Sequence, residues 1–155
     1  MPMLRPVLFA IALLVFAGGA PLAAQTLPPV DPAIASMSVD QKVELRQKLM
    51  KEDGMLLRQA RSATGDAAVQ AATTVLQNFV NFPALFADHA NNTISEADSR
   101  IWDDFDAFAD IFRQGQLDAA NMLAAARSGD QAAYQAAYKS LGQKCFECHQ
   151  SYRID

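Results

Sequence analysis

The chain has 155 residues, of which 51% are hydrophobic and 19% charged, and carries a formal net charge of −4. That is enough apolar material for one buried core, and it excludes a disordered polyelectrolyte. An acidic balance also argues against nucleic acid or an anionic lipid surface as a partner, since both repel a negative protein.

The N-terminus reads as an export signal. Arg5 gives a short positive region, residues 7–17 are uninterruptedly apolar yet too short to span a bilayer comfortably, and Gly18, Gly19, Ala20, Ala23 and Ala24 supply small residues for cleavage. The expectation is a signal peptide over residues 1–24, with no membrane segment left after cleavage. A Pro-containing linker is expected over residues 25–37.

Residues 38–155 read as one all-helical domain, rich in Ala, Gln and Leu and poor in clusters of β-branched residues. Ser38 with Gln41 resembles a capping box and opens a first helix to about Ser62, with Val39, Val43, Arg46, Met50 and Leu57 on one stripe. A second helix starts near Gly65 and carries Val69, Ala72, Leu76 and Phe79 inward. It is predicted to end before Pro83, because proline disfavours helix at the residue ahead of it. Residues 81–93 then form a long connection, with Phe82, Leu85 and Phe86 tucked against the core. Ser95 with Asp98 resembles a cap for a third helix running to Ser128, with Gly129 as its stop. Asp130 caps the last helix, whose inner face is Tyr134, Ala137, Leu141, Cys145, Cys148 and Tyr152.

Four amphipathic helices with mostly short links predict an antiparallel four-helix bundle able to hold a flat cofactor in its core. The only two cysteines of the chain stand in Cys145-Phe146-Glu147-Cys148-His149, the spacing of c-type haem attachment. A three-residue offset on a helix puts two thiols on one face, where they can add to the two vinyl groups of haem. The adjacent His149 can then offer a nitrogen to iron. Other readings fit less well. A thioredoxin-like pair belongs at a helix start near a βαβ unit, structural zinc needs four ligands, and a disulfide closing so short a loop stabilises little. Covalent haem attachment near the C-terminus requires an exported protein, so the motif and the signal peptide agree, and the mature chain is expected to be periplasmic.

In an up-down-up-down bundle the early part of the first helix lies level with the late part of the last, which brings Met50 towards the iron. A thioether is a soft ligand that raises haem potential, but a methionine on an apolar stripe also serves as plain core packing. His89 is the other candidate, and Met55 points about 140° away from Met50 around the helix.

The chain resembles the class II c-type cytochromes, cytochrome c′ and its low-spin relatives of the c-556 type. The resemblance rests on Cys145-x-x-Cys148-His149-x-x-Tyr152-Arg153 and on Arg46-Gln47-Lys48-Leu49-Met50-Lys51 followed by Gly54, and it covers nearly the whole mature chain. It implies one covalently attached haem c anchored by Cys145 and Cys148, with His149 as proximal and Met50 as distal ligand. It also implies that Arg46 touches a haem propionate and that Arg153 lies near the proximal side. Two functions are expected from it: one-electron transfer between redox partner proteins through a low-spin His/Met haem or, as the alternative, binding of nitric oxide or carbon monoxide at a five-coordinate iron. A homodimer through the first two helices is also implied. With no His or Arg constellation evident for acid–base chemistry beside the iron, an enzyme is not expected.

Overall fold

The computed structural model describes residues 26–154, so the expected signal peptide lies outside the described residues. The long helices are α1 (Val39–Ala60), α2 (Gly65–Phe86), α4 (Phe105–Ser128) and α5 (Gln131–Tyr152), with a single turn, α3 (Arg100–Asp103), ahead of α4. Together they form the antiparallel four-helix bundle that the periodicity predicts.

The helix ends follow from local chemistry. Ser38 Oγ accepts from Gln41 N at 3.3 Å and Gln41 Oε1 accepts from Ser38 N at 2.8 Å, which completes the capping box of α1. Asp104 and Asp130 accept from Ala107 N and Ala133 N to cap α4 and α5. Gly129 ends α4 at φ 73°, a left-handed conformation that glycine adopts without strain.

Three boundaries depart from the sequence reading. First, α2 runs straight through Pro83 to Phe86. Proline removes the N–H that would reach the Phe79 carbonyl, and Gln116 Nε2 of α4 donates to that carbonyl instead, at 3.1 Å. The helix also gains a buried row of Phe79, Phe82, Leu85 and Phe86 by continuing, so packing outweighs the local penalty. Second, Ser95 caps no helix: its Oγ accepts from Ala97 N and from Arg46, within a turn that precedes α3. The chain breaks again at Asp104 (φ −142°, ψ 77°) before α4 begins. Third, the stretch expected as a linker is docked: a 3-10 turn (Pro32–Ser36) buries Ile34, and Asp31 N donates to Asn81 Oδ1 of α2 at 2.9 Å.

Neighbouring helices pack in the order α1 on α2, α2 on α4 and α4 on α5, while α1 and α5 scarcely meet. Phe79, Phe82 and Phe86 of α2 interlock with Phe108 and Phe112 of α4, the tightest pair being Phe86 and Phe108 at 4.8 Å between centroids. Each such pair contributes about 0.5–1.5 kcal/mol beyond its buried area. The open seam between α1 and α5 is fastened at one end, where the buried Tyr134 hydroxyl donates to the Ala60 carbonyl at 3.0 Å and Gln135 Nε2 donates to the Arg61 carbonyl at 2.7 Å.

Candidate haem site

Beyond that fastening the second half of α1 faces the second half of α5 across a cavity of about 570 Å³. Its walls are Leu57 of α1, Phe79 and Phe82 of α2, Ile111 and Phe112 of α4, and Cys145, Cys148 and His149 of α5, with Met50 and Asp53 completing the α1 side. A smaller cavity of about 70 Å³ adjoins it, and Met50, Cys148 and His149 line both.

The chemistry of these side chains is set by burial. Cys145 and Cys148 are unbridged thiols, and burial pushes their pKa values up to about 11 and about 12. A buried thiol is held neutral, and conversion to a thioether removes the ionisable proton altogether. Burial lowers the pKa of His149, with the nearby Arg153 charge adding to the effect, and so favours the neutral imidazole whose lone pair a metal needs. Two thiols and an imidazole on one wall of an apolar gap of ligand size, with a thioether on the facing helix, fit a flat macrocycle held by covalent anchors.

Arg46 is 2% exposed and already engaged. Its Nη1 donates to the carbonyls of Leu85, at 3.2 Å, and of Ala90, its Nη2 donates to Ser95 Oγ at 2.7 Å, and the guanidinium lies 4.2 Å from the Phe86 ring centroid. Burial lowers its pKa to about 10, so it stays charged at neutral pH. It clamps the α2–α3 connection while lining the smaller cavity. Arg153 lines that cavity too, pairs with Glu96 at 3.4 Å, and closes α5 through its N–H to the His149 carbonyl. Its neighbours knit the tail to the same connection: Asp98 N donates to the Tyr152 carbonyl and Ile154 N to the Glu96 carbonyl, both at 2.9 Å. His89 is exposed and stacks on Trp102 at 5.6 Å, lining neither cavity.

The sequence reading missed Asp53. It falls on the same stripe, three residues past Met50 and four before Leu57, and is 4% exposed. Its Oδ1 accepts from Asn78 Nδ2 of α2 at 2.7 Å, and its Oδ2 has no partner. Burial raises its pKa to about 7, with Glu52 adding to the rise and the Asn78 hydrogen bond opposing it. A carboxylate inside an otherwise apolar helical stripe was the signal available in the sequence.

Gly115 of α4 shapes the opposite wall. A Cβ at this position would stand 2.5 Å from Phe79 Cδ1, so Gly115→Ala forces the Phe79 ring towards the cavity it lines. The expected cost is about 1–3 kcal/mol, read as a lower urea midpoint with unchanged slope.

A family model for cytochrome c′ matches residues 41–153. The chain belongs to the cytochrome c′ family. Like the other cytochromes of that family it carries one covalently bound haem c. It is 37% identical over 120 residues to cytochrome c-556 of Agrobacterium fabrum (strain C58), covering 73% of this chain and 81% of the relative. The structure of cytochrome c′ from Thermochromatium tepidum has the same fold, with a TM-score of 0.70 at 21% identity over 77% of this chain and 98% of that one. A nitric oxide complex of a cytochrome c′ variant from Alcaligenes xylosoxidans aligns with a TM-score of 0.64 at 23% identity over 76% of this chain and 98% of that one. Among the described residues no helix is long and apolar enough to cross a membrane.

Proposed function

We propose that the protein is a periplasmic one-electron carrier in which Cys145 and Cys148 anchor the haem, His149 is its proximal ligand and Met50 its distal ligand. The observation that carries this reading is the placement of Met50, which lines both cavities from α1 while His149 lines both from α5. A thioether and an imidazole thus border one space from facing helices. The similarity to a cytochrome c-556 supports this reading through the resemblance set out above, in which the c-556 type is the low-spin branch.

The haem supplies the one-electron exchange. The chain would do the rest: Cys145 and Cys148 would hold the group on α5, the Phe79, Phe82 and Phe112 rings would shield it from water, and the Arg46 clamp holds the α2–α3 connection beside the cavity. Ligand identity and burial then set the potential. The acidic surface suits redox partners that dock through a basic patch.

The second reading is a five-coordinate site that binds a diatomic gas, with Met50 as a lid over the distal face. It draws support from the nitric oxide complex of the Alcaligenes relative and from the position of Met50, which is only half-buried. Optical and electron paramagnetic resonance spectra of the periplasmically matured protein separate the two. A low-spin spectrum with sluggish carbon monoxide uptake supports the carrier. A high-spin resting spectrum with prompt uptake makes the gas-binding reading the function.

A further inference from the structure

Among the buried polar side chains of the haem end, Asp53 alone has an oxygen with no hydrogen-bond partner. Arg46 is satisfied by two carbonyls and a hydroxyl, and Lys42 reaches Asp88 at 3.5 Å. Asp53 sits in the wall of the large cavity, held in place by Asn78, and among the described residues no cation pairs with it. A buried carboxylate in that position would carry an uncompensated charge, and a buried carboxylic acid would not.

From this geometry, and resting on the one-electron reading above, we infer that Asp53 is a proton site coupled to the haem electron, so that the protein takes up a proton when it is reduced and releases it when it is oxidised. The step balances. A one-electron reductant gives one electron to iron(III), which becomes iron(II); a proton from solvent forms an O–H bond on the Asp53 carboxylate; no other bond changes. The reason is Coulombic. Oxidised haem is more positive by one charge and favours the carboxylate, whereas reduced haem withdraws that support and leaves a buried anion with a single hydrogen bond. Burial raises the Asp53 carboxyl from its ordinary range to about 7, which puts the exchange near neutral pH.

The groups around Asp53 allow this. On α1, Glu52 opposes its ionisation, and α2 supplies the uncharged Asn78. From α4 the cavity receives only Ile111 and Phe112. From α5 it receives Cys145 and Cys148, which lose their protons on thioether formation, together with His149, Tyr138, Lys139 and Lys144. Lys144 is already held by Gln114 at 2.7 Å and Glu147 at 3.2 Å, and Lys139 is exposed at the mouth, where solvent protons enter.

The test is a mediated redox titration of the holoprotein between pH 5 and pH 9, for the wild type, Asp53→Asn and Asn78→Ala. The expected wild-type result is a fall in electron affinity of threefold or more as the pH rises, about 28 mV for one electron. In Asp53→Asn the potential becomes flat across that range. In Asn78→Ala the curve keeps its drop but its inflection moves to higher pH, because the hydrogen bond that favours the anion is gone. A flat wild-type curve overturns the inference. So does a drop that survives in Asp53→Asn, which would assign the proton to a haem propionate or to His149. Where Asp53→Asn yields no holoprotein, an unmoved inflection in Asn78→Ala overturns it. Spin state is read from the spectra and not from these slopes, so failure of the His149/Met50 reading and failure of this inference are distinguishable.

Discussion

Replacing Met50 by Ala is expected to convert the holoprotein from a low-spin cytochrome into a high-spin one that binds carbon monoxide and nitric oxide promptly. The substitution deletes the thioether bordering both cavities and puts nothing in its place, because the neighbouring α1 side chains are engaged elsewhere: Arg46 with the α2–α3 connection and Asp53 with Asn78. Loss of a soft neutral ligand also removes an influence that favours iron(II), so the midpoint potential falls. Truncation of the half-buried side chain costs stability as well, about 2 kcal/mol, at the low end for a core methionine. Two measurements check this together, the spin state of the variant and its carbon monoxide association rate. An unchanged low-spin spectrum would remove Met50 from the iron.

The Cys145→Ser, Cys148→Ser double variant is expected to lose covalent haem entirely, seen as absence of haem stain after denaturing electrophoresis, and to lose its cooperative thermal transition. The reason for the second effect lies in the void. Without haem the gap of about 570 Å³ leaves its apolar lining without packing partners on one side, a loss that is large against the stability of a domain, about 5–15 kcal/mol. Water entering the open end relieves part of this, yet Phe79, Phe82 and Phe112 then face solvent. The outcome is a bundle with helical content, weak side-chain packing and dye-accessible apolar surface. Singly substituted variants keep one thioether and fall between these limits.

Much of the architecture was legible in the sequence because it rests on local rules. The Ser38–Gln41 box, the Gly129 stop and the Asp130 cap all act within a few residues, and each stands where the pattern placed it. The continuation of α2 through Pro83 was not legible, because the donor that stabilises it, Gln116, lies 33 residues away on another helix. The break at Asp104 and the turn around Ser95 were hidden for a related reason, since Ser95 is recruited by Arg46 from α1 rather than by its own helix. At the haem end, the Cys145-x-x-Cys148-His149 spacing named its cofactor outright, and bundle topology brought Met50 level with it. Asp53 escaped because an apolar stripe was read by its hydrophobic members, while its consequence depends on depth of burial and on a missing partner.

The seam between α1 and α5 behaves as a spring clip with its pivot at Tyr134 and Ala60. One end is locked by hydrogen bonds, and the cavity opens along the rest of the seam, where the Phe86–Phe108 pair that joins α2 to α4 lines its smaller part. Before haem arrives, amide exchange should run as a gradient along both helices, slow near Ala60 and Ala137 and fast near Met50 and Cys145. Such a clip presents the two thiols along the open part of the seam, away from the hydrogen-bonded end.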